Sequence, residues 1–145
     1  MEGKTILLVE DNSDDEALTL LALKKHNLTN NIDVVRDGAA AVDYLFCRGA
    51  YSERGQAENP QLILLDLKLP KMDGLEVLKV IRENEKTKHI PVVMLTTSVE
   101  ESDVVSSYDN GANSFMRKPV DFKEFIEVVS HIGVYWLAFN KVPIK

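Results

Sequence analysis

The chain has little of several things, and each shortage closes off a class of function. Its single cysteine, Cys47, excludes an internal disulfide. The N-terminus shows no basic start followed by an apolar run, and the longest apolar stretches are only strand-sized, so neither a secretory leader nor a membrane span is expected. A cytoplasmic location follows as the expectation. Basic residues are outnumbered, 17 Lys and Arg against 23 Asp and Glu, and the net charge of −6 is spread along the chain. A sequence-independent electrostatic grip on nucleic acid is therefore disfavoured. The phosphate-binding patterns GxxxxGK[ST] and GxGxxG and the nucleophile turn Gly-x-Ser-x-Gly do not occur. The three histidines, His26, His89 and His131, fall in or beside predicted helices with no ligand spacing to Cys47. Zinc is thus a poor fit, and the histidines read as solvated surface residues. Internal repeats and low-complexity tracts are lacking too.

What is present fits one folded domain, residues 1–145, since a single core organises about 100 to 200 residues. The 45% hydrophobic and 28% charged composition is that of an ordinary globular chain. Short β-rich runs alternate with helical patterns. TILLV (5–9) reads as a strand, and Ser13 and Glu16 form a capping-box pattern that opens a helix with Ala17, Leu20, Leu21 and Leu23 as its apolar face. Further strands are expected at 32–35, 62–65, 91–95 and 114–117. Helices are expected at 38–48, 74–84, 99–110 and from about Asp121. This rhythm predicts a doubly wound α/β domain with a five-stranded parallel sheet covered on both faces. Two segments stand outside it: a polar, Gly-containing loop insertion at 49–59 and an extended helix or tail at 133–145.

In an open parallel sheet, ligands bind beyond the carboxyl ends of the strands. Those ends carry Glu10-Asp11, Asp66, Thr96-Thr97 and Lys118-Pro119. Any one of these carboxylates alone reads as a helix cap. Three within about 5 Å would repel by roughly 3 kcal/mol per pair at an effective dielectric near 20, so a positive partner is required. An all-oxygen donor set favours a hard cation such as Mg²⁺, which takes one or two carboxylates and a phosphate oxygen. Glu10, Asp11 and Asp66 with one Mg²⁺ and Lys118 sum to zero charge.

Four motifs in order, LLVEDN, LLDLKLPKMDG, VVMLTTS and FMRKP, resemble the receiver domains of two-component response regulators, the CheY-like family, over about residues 4–131. The resemblance implies a flavodoxin-like sheet of order 2-1-3-4-5. It implies Asp66 as phosphoacceptor from a sensor histidine kinase, and Mg²⁺ held by Asp11, Asp66, the Lys68 backbone carbonyl and Glu10, directly or through water. Lys118 would pair with the phosphoryl oxygens, and a cis Lys118–Pro119 peptide is implied as well. Thr96 and Phe115 would form the coupled switch, although a strand-end threonine and a packed phenylalanine also fit ordinary structure. Thr97 replaces the small residue usual beside the pocket, and Lys68 and Ser98 stand where side chains tune self-dephosphorylation.

The insertion and the tail GVYWLAFNKVPIK resemble the subgroup of small regulators partnered with phytochrome-type histidine kinases. That resemblance implies a homodimer through helix four, strand five and helix five; Val104, Val105 and Tyr108 of helix four read either as part of the face that phosphorylation switches or as ordinary packing residues. For Tyr135, Trp136 and Phe139 two readings stand, a dimer contact or closure of the core. Too few residues follow helix five for a DNA-binding segment, so the output is expected to be contact with a downstream protein target. The chain reads as a signalling phosphoacceptor with at most self-phosphorylation and self-dephosphorylation activity. Two other classes compete: a phosphorylation-independent binding module, and a Mg²⁺-dependent phosphatase with an aspartate nucleophile. The phosphatase normally carries its Asp-x-Asp on the first strand, and a flavin carrier would need a phosphate loop after strand one.

Overall fold

A computed structural model of the chain describes residues 5–25, 31–54, 59–97, 100–119, 121–141 and 143. In chain order the elements are β1 (Thr5–Val9), α1 (Ser13–Lys24), β2 (Asn31–Val35), α2 (Gly38–Leu45), a 3-10 turn (Gly49–Arg54), β3 (Leu62–Leu65), α3 (Gly74–Glu83), β4 (Val92–Thr96), α4 (Glu101–Asp109), β5 (Ser114–Arg117) and α5 (Phe122–Val134). A π-helical turn, Tyr135–Phe139, continues α5. The five strands form one parallel sheet of order β2-β1-β3-β4-β5. This is the expected doubly wound, flavodoxin-like topology.

Apart from Thr5 and Thr96 at strand ends, β1, β3 and β4 are apolar because both faces are covered, and their alternation sorts side chains into two cores. Leu7, Val9, Ile63, Leu65, Val92 and Met94 point toward α2 and α3. Ile6, Leu8, Leu62, Leu64, Val93 and Leu95 point the other way, onto Ala22 and Leu23 of α1 and Phe125, Val129 and Ile132 of α5. Full burial of each such side chain stabilises by roughly 1.5–3 kcal/mol, so the sheet is a stiff platform for whatever its rim carries.

Helix starts follow local capping chemistry. Asp37, Asp73 and Asp121 accept the backbone N–H of the residue three further on in α2, α3 and α5. At α1 the cap is Asn12, whose side chain takes the Asp15 N–H at 2.9 Å, and not Ser13 as the Ser-x-x-Glu pattern predicts. The apolar face of α1 also differs from expectation. Thr19, Ala22 and Leu23 are buried, whereas Ala17 is exposed and Leu21 is 58% exposed. Apolar residues nearly encircle this helix, so period alone does not select the inner stripe. Helix α2 stops at Leu45, short of Arg48, where the chain turns through Cys47 with φ 56°.

The insertion is not plain loop. Its first six residues form the 3-10 turn, which docks on α2: Tyr51 meets Tyr44 edge-on at 5.4 Å, and the Arg54 guanidinium lies 4.0 Å over the Tyr44 ring. The Tyr44 hydroxyl donates to Asp33 on the edge strand β2. Burial, then the Asp33 hydrogen bond, holds that phenol above its ordinary pKa.

At the rim where β4 begins, the Arg82 guanidinium donates to the carbonyls of Gly111, Lys88 and Ile90 and to Asn113 Oδ1, at 2.7–3.0 Å. This clamp closes the end of the sheet opposite the functional rim. The tail divides the two readings residue by residue. Leu137 is buried and Trp136 packs on the α1/α5 core, while Tyr135 and Phe139 are exposed. Among the described residues no helix is long and apolar enough to cross a membrane. No cis peptide bond occurs among them either, so Lys118–Pro119 is trans, the isomer an X–Pro bond favours by about 0.5–1 kcal/mol when nothing selects the other.

Candidate functional site

Glu10, Asp66 and Lys118 each follow directly on the last residue of β1, β3 and β5, and their backbones extend the ladders by one step. The Glu10 N–H donates to Val35 O at 3.0 Å, the Asp66 N–H to Val9 O at 3.1 Å and the Lys118 N–H to Thr96 O at 2.6 Å. Backbone hydrogen bonds thus fix three charged side chains at one rim before any side-chain interaction is counted. Gly74 helps at Asp66. It opens α3 with its N–H on Leu67 O at 2.8 Å, and a Cβ there would stand 2.3 Å from the Asp66 carbonyl oxygen.

The side chains converge on the Lys118 ammonium. It donates to Glu10 Oε1 at 2.7 Å, Asp66 Oδ2 at 2.9 Å and Asp15 Oδ2 at 2.9 Å. Asp66 Oδ1 also takes the Lys68 N–H at 3.2 Å, and Glu10 Oε2 takes the Asn12 N–H at 3.2 Å. Carboxylate oxygens of Glu10, Asp11 and Asp66 lie within 4.8 Å of one another, a donor set that fits a hard divalent cation. Asp11 is exposed at the open side, whereas Glu10 and Asp66 are buried.

Asp15 is the residue the sequence reading missed. A first-turn aspartate reads as a favourable partner of the helix dipole, yet here it reaches across to a lysine 103 positions away. Its presence corrects the charge balance: four carboxylates with Lys118 and one divalent cation leave one negative charge, not zero. Burial, opposed by the Lys118 hydrogen bond and reinforced by the Asp66 charge, raises the Glu10 pKa to about 7. Burial also works to lower the Lys118 pKa, but the hydrogen bonds it donates to Asp15 and Glu10 and the charge of Asp66 outweigh it and hold the ammonium above the ordinary lysine value.

The Glu10 shift fixes a sign. Because the folded protein holds this proton more tightly than the unfolded chain, stability from the group is complete below about pH 4.5 and is lost as pH rises toward about 7. Metal-free Glu10→Gln should therefore gain on wild type between pH 5 and pH 8, by on the order of 1–3 kcal/mol in urea unfolding. A difference that does not change with pH would refute this.

The remaining candidates divide. Thr96 is fully buried at the end of β4, and Phe115 is half-buried against the α2/α3 core. Strand register pairs Met94 with Phe115 and Thr96 with Arg117, so alternation places Thr96 and Phe115 on the same face of adjacent strands. Lys68, two residues past Asp66, and Thr97, next after Thr96, are exposed, and Lys68 Nζ lies 3.9 Å from Asp103 of α4. Ser98 lies outside the described residues. On α4, Val105 and Tyr108 are exposed and Val104 is half-buried.

A doubly wound parallel sheet with an acidic cluster and a lysine at its carboxyl rim is the arrangement of receiver domains. The response regulator receiver domain family matches residues 6–130, and the chain belongs to it. Among relatives it is similar to the response regulator Rcp1 of Synechocystis sp., 41% identical over 97% of this chain and 93% of that one. It is also similar to the probable methanogenesis regulatory protein FilR2 of Methanothrix harundinacea, 43% identical over 95% and 86%. The Mn²⁺-bound structure of Rcp1 superposes with TM-score 0.89, covering 97% of this chain and 99% of that one at 41% identity. The phosphorylated cyanobacterial phytochrome response regulator RcpA does so with TM-score 0.90, covering 97% and 99% at 40% identity. Proteins of this family are signalling proteins and not metabolic enzymes.

Proposed function

We propose that residues 1–145 act as one receiver domain in which Asp66 accepts a phosphoryl group from a sensor histidine kinase. The observation that carries this is the Lys118 ammonium, held 2.9 Å from Asp66 Oδ2 within the cluster of Glu10, Asp11 and Asp66. Phosphoryl transfer asks mainly for positioning and charge neutralisation, and this rim supplies both. An Asp66 carboxylate oxygen attacks phosphorus in line with the P–N bond of a phosphohistidine. That bond breaks with its electron pair retained by the imidazole, which takes one proton from solvent and leaves neutral, and an acyl phosphate remains on Asp66.

Asp11, Asp66 and the Lys68 carbonyl are the proposed Mg²⁺ ligands. Glu10 joins them directly or through a water, its buried carboxylate also accepting the Asn12 and Lys118 N–H groups. The cation, when bound, supplies charge neutralisation for the phosphoryl oxygens. Thr96 and Phe115 carry the response to the face formed by α4, β5 and α5, through which a downstream protein or a second copy is engaged. Phosphorylation shifts that equilibrium only as far as the two states differ in their contacts. Similarity to RcpA supports a phytochrome-type kinase as the partner, while similarity to FilR2 points to a different regulatory setting for the same domain. Lys68 and Thr97, both exposed, tune the lifetime of the adduct.

The test is incubation with acetyl phosphate and Mg²⁺, followed by intact mass and size-exclusion chromatography. Wild type is expected to gain the mass of one phosphoryl group, and Asp66→Asn none. An adduct that survives Asp66→Asn, or none in wild type, rejects the assignment. Steady release of phosphate from many small esters would instead indicate the aspartate-nucleophile phosphatase.

A further inference from the structure

An ammonium has three N–H donors, and in this protein Lys118 has committed all three. Glu10, Asp15 and Asp66 take one each at 2.7, 2.9 and 2.9 Å. A group arriving on Asp66 brings new anionic oxygens that need a donor, so one existing bond must be given up. The three are not equally expensive to lose. The Glu10 side chain is 1% exposed, and a buried carboxylate stripped of its cation is strongly disfavoured. The Asp66 bond is made by Oδ2, and it is kept when the group arrives on Oδ1, the oxygen that takes the Lys68 N–H instead of the ammonium. The Asp15 side chain is 24% exposed, so water can replace the ammonium there.

We propose that Asp15 is a displaceable latch on Lys118, holding one of its N–H donors in the resting protein and yielding it to an oxygen of the group that arrives on Asp66. The inference rests on the reading of Asp66 as phosphoacceptor. Asp15 thereby sets how readily the rim accepts an incoming anion. It acts through Lys118 and is a positioning residue. Its place in α1 adds a consequence. The Asp15 N–H caps onto Asn12, and its carbonyl takes the Thr19 hydroxyl at 2.7 Å, so the latch ties the anion site to the first turn of a helix packed against α5. In the released state that tie between Lys118 and α1 is gone.

The test measures beryllofluoride binding to the full chain by fluorine NMR at saturating Mg²⁺, with folding checked by thermal melts. Asp15→Asn keeps the size of the side chain but removes its charge, and is expected to bind about fivefold more tightly than wild type, the scale of a solvent-accessible ion pair. Asp15→Ala should do the same, which keeps the test open if either variant folds poorly. Asp15→Glu should return the affinity to that of wild type. Asp14→Asn removes a charge from the same exposed first turn and should change nothing. Unchanged or weaker binding by Asp15→Asn overturns the latch, as does an equal gain in Asp14→Asn, which would reduce the effect to general charge. If wild type shows no Asp66-dependent binding, the phosphoacceptor reading has failed, a result distinct from the failure of the latch.

Discussion

Lys118→Met is expected to lower folding stability by about 4 kcal/mol in metal-free buffer at pH 8, read from urea unfolding, and to abolish beryllofluoride binding. The methionine fills the space of the aliphatic stem, so the loss isolates the ammonium. Without it Glu10 and Asp66 are left buried, close together and without a cation. Two further features make the prediction specific. The deficit should shrink as pH falls from 8 to 5, because protons then replace the missing charge on the carboxylates. Added Mg²⁺ should raise the melting temperature of the variant more than that of wild type, since a divalent cation substitutes for part of the lost charge. In wild type the raised lysine pKa makes this stabilisation constant through neutral pH, lost only as pH climbs above the ordinary lysine range. A variant as stable as wild type at pH 8 would mean that the ion cluster is not what holds the rim together.

Gly74→Ala is the second large effect. The added methyl would meet the Asp66 carbonyl oxygen at 2.3 Å and Leu67 Cα at 2.8 Å, both backbone atoms at the end of β3 that have no rotamer to change. We expect a loss of about 3 kcal/mol and, in protein that still folds, at least a tenfold loss of beryllofluoride affinity because Asp66 is pushed off its position. Gly38→Ala is the matched control. Its methyl would lie 1.7 Å from the Met72 carbonyl oxygen, in the loop between β3 and α3, with no Asp66 atom among its nearest contacts. It should destabilise comparably while the folded fraction keeps more of its affinity. Equal affinity in Gly74→Ala and wild type would show that the contact relaxes without moving Asp66.

The strands and the rim were readable because their signals are redundant. LILL is buried on both faces and can be little else, and the charges directly behind strands one, three and five have nowhere to go but the rim. The readings that failed rest on single, local signals. Asn12 and Ser13 both offer a cap, and backbone geometry chose the former. Helix α1 is apolar nearly all round, so its pattern puts Leu21 inside, whereas Thr19 and Ala22 lie there. Asp15 was invisible because attention to strand ends omits helix first turns, and only tertiary packing brings it to Lys118. A search for acidic residues one turn beyond the strand-one pair would have found it. The 3-10 turn at 49–54 carries weak local propensity and is held by Tyr44, a contact that composition does not announce.

The bond between Glu10 and Lys118 spans 108 residues. Such a contact cannot form early, because the entropy of closing so long a loop must be offset by strand pairing already in place. During synthesis the ribosome delivers Glu10, Asp15 and Asp66 well before Lys118, and until then the three anions have no lysine to bind. The rim therefore matures only once β5 has joined the sheet. A chain released before β5 emerges presents repelling carboxylates in place of a receiver, and a competent site certifies that the whole sheet has been made.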